Sequence, residues 1–447
     1  MLRNNPWLIW RARLAGAELP RFWALGAWGG VVFLLLLGLG LYRMGLPLKK
    51  VPLLLAEDFS SPLEPAVWQQ AVTATELAQL VPDRYFSASE CKTTLPAISA
   101  AGLPLTVYTS IDPELQKLLQ LLLHRYKPQI GAGVLLDLES GAISAMAEYR
   151  HADEAGRIVD ADVGPLCLTP IFPAASLFKI VTAYGVMEKS GVAGNARYPV
   201  IGRYHTLYKY QLGLATSRYR FREQHLSLEE AFARSVNPIF GRFGVDLFDA
   251  EELLELGRKF AFNRPLEFDL ELPASKLAVT SNPYRRAEAA SGFIKSTTIS
   301  PLHAALLVGM PVAEGRLLRP YLVERVVAAD GGEMFYRQEE RPQVCLEDQK
   351  ACVELVGMMR ATVKYGTASK SFQHLKRKKV YADWDIGGKT GSLDMPDSGR
   401  RCEWFAGFGK DPRHGRSVAA AVVLVHGELR TISSAFIAAE MLAAALQ

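Results

Sequence analysis

Cysteine is scarce in this chain of 447 residues, and the spacing of its few cysteines does not indicate a disulfide framework. The five cysteines are scattered and odd in number, which fits neither a set of disulfides nor a metal cluster. Cys345 and Cys352 are close enough in sequence to pair, but two free thiols are the favoured interpretation. The eight histidines show no His-Glu-x-x-His or other ligand spacing, so the sequence predicts no metal and no cofactor.

The chain also lacks a strong charge of either sign. Its 51 basic and 46 acidic residues give a net charge of +5, which is too mild to indicate a nucleic-acid partner. Internal repeats and low-complexity tracts are absent from the sequence as well. Apolar residues make up 49% of the chain, which is enough for one large domain with a sizeable core plus additional segments.

Residues 22–42 form one long stretch without a charge, rich in Leu, Gly, Val and Trp. Its length matches one helical crossing of a bilayer. Basic residues outnumber acidic ones in residues 1–21, which favours a cytoplasmic N-terminus and places the rest of the chain outside the cytoplasm. A cleaved signal peptide is the alternative. Because the apolar stretch is long and residues 43–47 contain no Ala-x-Ala site, we expect an uncleaved anchor.

Ser176 and Lys179 are the first residues that suggest chemistry. Residues 177–187 make an apolar run long enough for a buried helix, and Pro173 lies just upstream, where chains often enter helices. Side chains three positions apart share one helix face, so Lys179 would lie beside the Ser176 hydroxyl. Burial lowers the pKa of a lysine, and a serine hydroxyl needs such a base to become a nucleophile. The start of the helix also offers backbone N–H groups to a developing oxyanion.

Two further motifs follow, Ser-Val-Asn at residues 235–237 and Lys-Thr-Gly at residues 389–391. Each is weak alone. Ser235 and Asn237 would equally suit the end of a helix beside a proline. Lys-Thr-Gly would suit a phosphate loop, but a Walker pattern needs glycine at position 383, where Asp383 stands. A second Ser-x-x-Lys, at residues 89–92, precedes no apolar helix and no partner motif, and we interpret it as chance.

Taken in order, the three motifs resemble the Ser-x-x-Lys, Ser-x-Asn and Lys-Thr-Gly set of penicillin-binding proteins and serine β-lactamases. Flanking segments extend the resemblance to a penicillin-binding transpeptidase domain over residues 104–447. These segments are a leading stretch at 103–116, a first hairpin at 131–147, two short landmarks at 299–304 and 366–368, and a strand at 404–408.

The resemblance implies an α+β fold of the β-lactamase/transpeptidase type, and the predicted order of elements agrees with it. We predict an antiparallel sheet that is closed by both ends of the domain, flanked by helices and joined to an all-helical subdomain. The one N-terminal transmembrane helix precedes it. The predicted elements are a helix at 113–126, a hairpin at 131–150, the Ser176 helix, a mostly helical region to 260, a helix at 301–312, a β pair within 321–336, a helix at 347–365, strands at Lys389, Trp404 and 418–425, and a helix from Ser433.

Residues 43–103, between the anchor and the domain, are predicted to be an extracytoplasmic juxtamembrane linker with one short helix at 66–80. The linker is too short to be the glycosyltransferase domain of bifunctional penicillin-binding proteins. It is also shorter than the pedestal domain that is usual in monofunctional members. A separate glycosyltransferase is therefore a candidate partner.

The resemblance implies a role for each motif residue around the nucleophile. Ser176 is the serine that becomes acylated, and Lys179 is the base for that step. Ser235 relays a proton to the leaving amine. Asn237 binds the peptide backbone of the substrate.

The third motif is implied to bind the substrate. Lys389 and Thr390 hold a carboxylate, and Gly391 lets the substrate approach the strand edge closely. Ser392 shares the oxyanion hole with the nucleophile through its backbone N–H, so serine in place of the threonine that the family often has is expected to matter little. Ala175 stands where the family usually has glycine, a change that is expected to narrow the site and that keeps a hydrolase open as the alternative.

The leading hypothesis is a D,D-transpeptidase in the cytoplasmic membrane, with its catalytic domain outside the cytoplasm. The resemblance implies peptidoglycan stem peptides and β-lactam antibiotics as its ligands. The alternatives are a D,D-carboxypeptidase or class D-like β-lactamase that hydrolyses the acyl-enzyme, and a non-catalytic β-lactam sensor or scaffold for wall-synthesis proteins. Chain length argues against a compact β-lactamase, and the intact motifs argue against a scaffold. The basic run at 376–379 is interpreted as a solvated loop, with contact to an anionic wall polymer as the alternative.

Overall fold

The computed structural model describes residues 77, 79–81, 93–99, 102–152, 163–218, 220–329, 331–336, 343–395 and 398–447. The membrane span predicted at 22–42, most of the linker and the second Ser-x-x-Lys at 89–92 lie outside these residues. Among the residues that are described, no helix combines the length and the apolar character that a bilayer crossing requires.

The described chain forms strands and helices in the following order, with short 3-10 turns between some of them. The strands are β1 (Thr94–Ile98), β2 (Pro104–Thr109), β3 (Ile130–Asp137), β4 (Ile143–Arg150), β5 (Phe172–Pro173), β6 (Arg197–Val200), β7 (Gln224–Ser227), β8 (Thr298–Ile299), β9 (Arg316–Leu317), β10 (Val323–Ala328), β11 (Glu333–Tyr336), β12 (Gln343–Val344), β13 (Asp385–Asp394), β14 (Arg401–Asp411) and β15 (Arg416–Val425). The α-helices are α1 (Pro113–Tyr126), α2 (Lys179–Ser190), α3 (Leu228–Ala233), α4 (Asn237–Asp246), α5 (Ala250–Lys259), α6 (Pro283–Ser291), α7 (Pro301–Val312), α8 (Gln349–Lys364) and α9 (Ser434–Ala445).

The central sheet has the strand order β13-β14-β15-β3-β4, and every neighbouring pair is antiparallel. Strand β15, near the end of the chain, pairs along its length with β3, from Val418 opposite Asp137 to Val425 opposite Ile130. The prediction of an antiparallel sheet closed by both ends of the domain is therefore confirmed.

Helices cover both faces of this sheet, which explains why β15 is buried along almost its whole length. On one face α1 and α9 share a core with Leu135, Phe405 and Val422. On the other face lies α7, whose last residue, Val312, accepts a hydrogen bond from Lys410 of β14 at 3.2 Å. Helices α2 to α6 lie between β4 and α7. The prediction that this subdomain is all helical is wrong, because two short antiparallel strand pairs, β5 with β8 and β6 with β7, lie in the same region.

Three of the predicted helices begin and end close to where the sequence places them. The helices predicted at 113–126 and 301–312 have those bounds, and the one predicted at 347–365 runs from Gln349 to Lys364. Local chemistry explains the accuracy for α1. Asp112 accepts hydrogen bonds from two backbone N–H groups of the first turn, at 2.9 and 3.1 Å, and Pro113 occupies the first helical position.

A second, smaller sheet has the order β1-β2-β10-β11. Strand β1 pairs with β2 from Thr94 opposite Tyr108 to Ile98 opposite Pro104. Residues before the expected domain boundary at 104 therefore contribute a strand to a sheet of the domain. Cys345 and Cys352 are both free, as the sequence favoured.

Candidate active site

The nucleophile candidate, Ser176, lies in a 3-10 turn at Ala175–Phe178 that leads directly into α2. The sequence predicted a regular helix from Leu177, so the first turn is tighter than expected. The short strand β5 before it pairs with β8, and Ala174 donates its N–H to the Thr297 carbonyl at 2.8 Å. These contacts fix the backbone on the N-terminal side of the serine.

Lys179 connects the first two motifs. Its Nζ lies 2.7 Å from Ser176 Oγ, 2.7 Å from Asn237 Oδ1 and 2.6 Å from the Ser291 carbonyl oxygen. The side chain is fully buried. A neutral lysine has two N–H donors, which suit the amide and the carbonyl, and one lone pair, which then faces the serine hydroxyl. The arrangement therefore suits transfer of the Ser176 proton to Lys179.

Lys389 connects the third motif to the second. Its Nζ donates to Ser235 Oγ at 3.0 Å and to the Thr390 carbonyl at 2.9 Å. This side chain is also fully buried. Each lysine thus supports one side chain of the Ser-Val-Asn motif, and proton movement between the three motifs needs no large displacement.

The simpler interpretation of the second motif was helix-end capping, and its backbone does lie at a helix end. Ser235 follows α3 with a φ of +56°, in the left-handed region, and Asn237 is the first residue of α4. However, no side chain caps the start of α4, because the cap position is Val236. The polar side chains of Ser235 and Asn237 instead accept hydrogen bonds from the two lysines.

Strand β13 runs close to the nucleophile. A Cβ atom built on Gly391 would lie 3.3 Å from both the Ser176 nitrogen and the Ala175 Cβ, so glycine permits the close approach. Opposite Gly391 on β14 stands Trp404, whose Nε1 donates to the Pro173 carbonyl at 2.9 Å. The buried tryptophan ties the segment before the serine to the sheet.

Ala175 lies in the left-handed region, with a φ of +48°, where glycine is favoured. Its side chain is only 1% exposed and does not line the cavity. The expectation that this alanine narrows the site stays a prediction.

Burial controls the charge of both lysines. Burial, and then repulsion from Lys389, hold the pKa of Lys179 well below its usual range. Burial lowers the pKa of Lys389 to about 7. The lowered pKa favours the neutral form of Lys179, which carries the lone pair that a base needs, and with a pKa of about 7 Lys389 can exchange a proton near neutral pH.

The Lys389 pKa predicts how stability depends on pH. Since its folded pKa lies below the unfolded value of 10.5, the unfolded state binds more protons between pH 7 and 10, and wild-type stability rises with pH in that window. Below pH 7 the buried Lys389 is charged in the folded protein, and its unfavourable contribution to the stability of the wild type is fully present. We expect Lys389→Met, which cannot titrate, to gain stability relative to the wild type by a larger amount at pH 6 than at pH 9.5. Between pH 6 and pH 9.5, the stability gained by the variant over the wild type should change by on the order of a few kcal/mol. Urea unfolding of both proteins at both pH values measures it, and a pH-independent difference would contradict the prediction.

Helix α6 is the part of the site that the sequence analysis missed. Its last residue, Ser291, supplies the carbonyl that accepts from Lys179, and Thr182 of α2 donates to the Ala290 carbonyl at 2.7 Å. The carbonyl end of a helix carries partial negative charge, which favours a nearby cation. A signal for this helix exists in the sequence: Asn282 caps its start before a proline, and Gly292 ends it.

Gly292 gives the sharpest stability prediction. Its φ is +66°, and an added Cβ would lie 1.9 Å from the carbonyl oxygen of Ala175, beside the nucleophile. Gly292→Ala must displace one of the two backbones, so we expect a loss of at least ~2 kcal/mol in the free energy of unfolding. Acylation should slow as well. Gly191→Ala is a matched control because Gly191 also ends a helix with positive φ (+64°) but has open space around it. Equal losses in the two variants would show that close packing at Gly292 does not matter.

The motif residues surround a cavity of 620 Å³. Ser176, Ser235, Asn237, Thr390, Gly391 and Ser392 all line it, whereas Lys179 and Lys389 lie beneath its surface. The structure thus brings all eight sequence-predicted site residues together.

The cavity also has walls that the sequence analysis did not identify. Thr367 contacts the Thr390 hydroxyl, and His205 lies on the side of Ser235. At the other end Arg401 donates to Ser392 Oγ at 2.7 Å. Hydroxyl and guanidinium donors next to the third motif suit an anionic substrate group.

Comparison with known families agrees with this fold. Residues 131–447 match the family described as penicillin binding protein transpeptidase domain. The match spans well over half of the chain, so the chain belongs to this family. A comparison with curated proteins finds no match.

Solved structures of similar fold come from several bacteria. The D,D-transpeptidase domain of a peptidoglycan glycosyltransferase from Eggerthella lenta is 20% identical, with a TM-score of 0.60, and the match covers 83% of this chain and 90% of that one. Penicillin-binding protein A from M. tuberculosis, solved as a ceftriaxone acyl-enzyme, is 21% identical, with a TM-score of 0.61 over 76% and 80% of the chains. Penicillin-binding protein 2B from Streptococcus pneumoniae is 17% identical, with a TM-score of 0.57 over 75% and 58%. At these identities the likeness shows a shared fold.

Proposed function

We propose that this protein is a serine D,D-transpeptidase that cross-links peptidoglycan stem peptides and that penicillin acylates at Ser176. The observation that carries the proposal is the environment of Lys179. A buried lysine with a lowered pKa lies 2.7 Å from the hydroxyl of a partly exposed serine on the wall of a cavity. A scaffold would not need this arrangement.

The acylation step follows from the hydrogen bonds. Ser176 Oγ attacks the carbonyl carbon of the D-Ala-D-Ala peptide bond while its proton moves to Lys179. The backbone N–H groups of Ser176 and Ser392 stabilise the oxyanion. When the C–N bond breaks, the leaving amine of D-alanine takes a proton from Ser235, which Lys389 replenishes through the hydrogen bond of 3.0 Å. The products are an ester on Ser176 and free D-alanine.

The second half of the reaction reverses these roles. An amine from a neighbouring stem peptide attacks the ester carbonyl and passes a proton to Ser235, which hands its own proton back to Lys389, while Lys179 holds the proton that Ser176 will recover. The ester C–O bond breaks, and Ser176 recovers its proton. A new amide joins the two stems. Substitution of water for the amine would give hydrolysis instead, as in a carboxypeptidase or a β-lactamase.

Product analysis distinguishes these outcomes. The protein is incubated with a donor peptide that ends in D-Ala-D-Ala and with an excess of a D-amino acid as acceptor, and the products are identified by mass spectrometry. We expect the exchanged peptide to exceed the hydrolysed peptide and to increase with acceptor concentration. Hydrolysis alone at every acceptor concentration would instead indicate a carboxypeptidase.

We also propose that residues 22–42 anchor the protein in the cytoplasmic membrane with residues 43–447 outside the cytoplasm. The support is the uncharged length of this stretch and the basic residues before it.

Protein that begins at residue 50 should be soluble and should bind penicillin at the wild-type rate, because all the motif residues lie beyond residue 104. Protease added to intact spheroplasts should digest most of the full-length chain. Full protection of the C-terminal domain would contradict the orientation and exclude a wall substrate.

A further inference from the structure

Residues 203–222 form a segment of alternating basic and aromatic residues that the acyl-transfer machinery does not use. The segment contains five Lys or Arg, five Tyr or Phe and no acidic residue. Its charge of +5 equals the net charge of the entire chain. We refer to these residues as the aromatic-basic segment.

Three rings of the segment stack on one another at the surface. The centroids of Tyr208 and Tyr210 are 5.5 Å apart with an interplanar angle of 13°, and those of Tyr210 and Phe221 are 5.1 Å apart at 4°. The outer two members remain accessible, Tyr208 at 53% and Phe221 at 38%. Contiguous exposed apolar surface of this kind is typical of a binding site.

The first part of the segment, residues 203–211, is held in place by hydrogen bonds of one side chain. The buried side chain of Gln211 donates to the carbonyls of Ile201 and Arg203, at 2.9 and 3.0 Å. It accepts from the Thr206 hydroxyl at 3.0 Å and from the Tyr208 N–H at 2.9 Å. A ligand that binds here therefore meets a preformed surface, which reduces the entropy lost on binding.

The cations of the segment face solvent. Arg203, Lys209, Arg218, Arg220 and Arg222 are all exposed. Within the described part of the chain, Arg218, Arg220 and Arg222 form no ion pair. Guanidinium groups in this state are available to carboxylates or phosphates of a polymer.

The aromatic-basic segment begins at the mouth of the cavity. His205, its third residue, lines the same cavity as Ser176 and Ser235. The ring stack begins at Tyr208, three residues further along the chain. A polymer that delivers one of its side branches to Ser176 would therefore come next to the first residues of the segment.

We propose that the aromatic-basic segment binds the glycan strand whose stem peptides enter the cavity. The apolar C–H faces of the sugar rings would pack on the exposed faces of the ring stack, and the arginines would pair with carboxylates of neighbouring stem peptides. This inference depends on the proposed function, because that function names the polymer. Single-stranded nucleic acid and anionic membranes present similar chemistry, but neither one carries a branch that reacts at Ser176.

The test compares matched variants of the full-length protein in detergent. The probe is soluble, uncross-linked glycan strands that carry intact stem peptides. Arg220→Ala/Arg222→Ala removes two cations from the segment, and Tyr208→Ala removes the outer ring. Arg377→Ala/Lys378→Ala removes two exposed cations from the basic run at residues 376–379 and serves as the control. Binding is measured at low and high salt, and acylation by a fluorescent penicillin is measured for every variant.

We expect the segment double variant to bind glycan strands about tenfold more weakly at low salt, as two charge contacts of surface strength would give, with a smaller loss at high salt. Tyr208→Ala should weaken binding severalfold at both salt concentrations. The control should bind like the wild type, and penicillin should acylate all four proteins equally.

Wild-type affinity in both segment variants would overturn the inference. Tighter binding of an oligonucleotide or of anionic vesicles than of glycan strands, with the same sensitivity to the variants, would overturn it too. If penicillin does not acylate the wild type, the proposed function fails first. If acylation is normal and only glycan binding is insensitive to the variants, the inference alone fails.

Discussion

Ser176→Ala should abolish labelling by fluorescent penicillin while the protein stays folded. Without the hydroxyl no covalent bond to the β-lactam carbonyl forms, and loss of a serine nucleophile typically costs on the order of 10⁶ in rate. The side chain is partly exposed on the cavity wall, and Lys179 keeps its contacts to Asn237 and Ser291, so stability should change little. Gel fluorescence and thermal unfolding measure the two properties.

Ser371→Ala is the matched control for this variant. Ser371 lines the same cavity, but its hydroxyl pairs with Ser433 at 3.0 Å and not with a lysine. It should label like the wild type. Labelling of Ser176→Ala at the wild-type level would remove Ser176 from the role of nucleophile.

Lys179→Arg should slow acylation by ~10²-fold or more, which is the low end of a general-base effect. Arginine keeps the charge but cannot deprotonate, so nothing accepts the Ser176 proton. The pH profile of the wild type should depend on the same proton transfer. Because burial and Lys389 depress the pKa of Lys179, acylation should reach its plateau at a lower pH than an ordinary lysine base would allow, and it should fall as pH decreases through that lowered pKa. Stopped-flow acylation across pH measures both effects.

Two further variants keep this test decisive. Lys189→Arg changes a lysine of the same helix that forms a surface ion pair with Glu252, and it should acylate normally. Lys179→Met tests the base without adding volume to a fully buried position. Near-normal acylation by folded Lys179→Arg and Lys179→Met would exclude Lys179 as the base.

Local signals made much of the fold predictable. Caps such as Asp112 before Pro113, and Ser300 before Pro301, set the starts of two helices whose predicted bounds agree with the structure. The run of Ala and Val residues predicted the strand β15, and the order of the three motifs indicated the family. Helix α6 was missed because its nine residues are mostly polar or small, so it shows no apolar run.

The site contacts were harder to predict because they join segments far apart in sequence. Ser291 is 112 residues from Lys179, and Ser235 is 154 residues from Lys389. No spacing rule connects such pairs. The left-handed backbone of Ala175 could not be read from the residue itself, since alanine gives no sign of a positive φ, and only the glycine that the family usually has there pointed to it. The membrane anchor and the roles of the eight site residues remain predictions.

Ser176 is the serine that we expect to form the acyl-enzyme. Intact-protein mass spectrometry after exposure to penicillin, followed by peptide mapping, tests it most directly. We expect one added penicilloyl group per chain, on the peptide that contains Ser176. An adduct on Ser89 or on any other residue, or no adduct at all on folded protein, would contradict it.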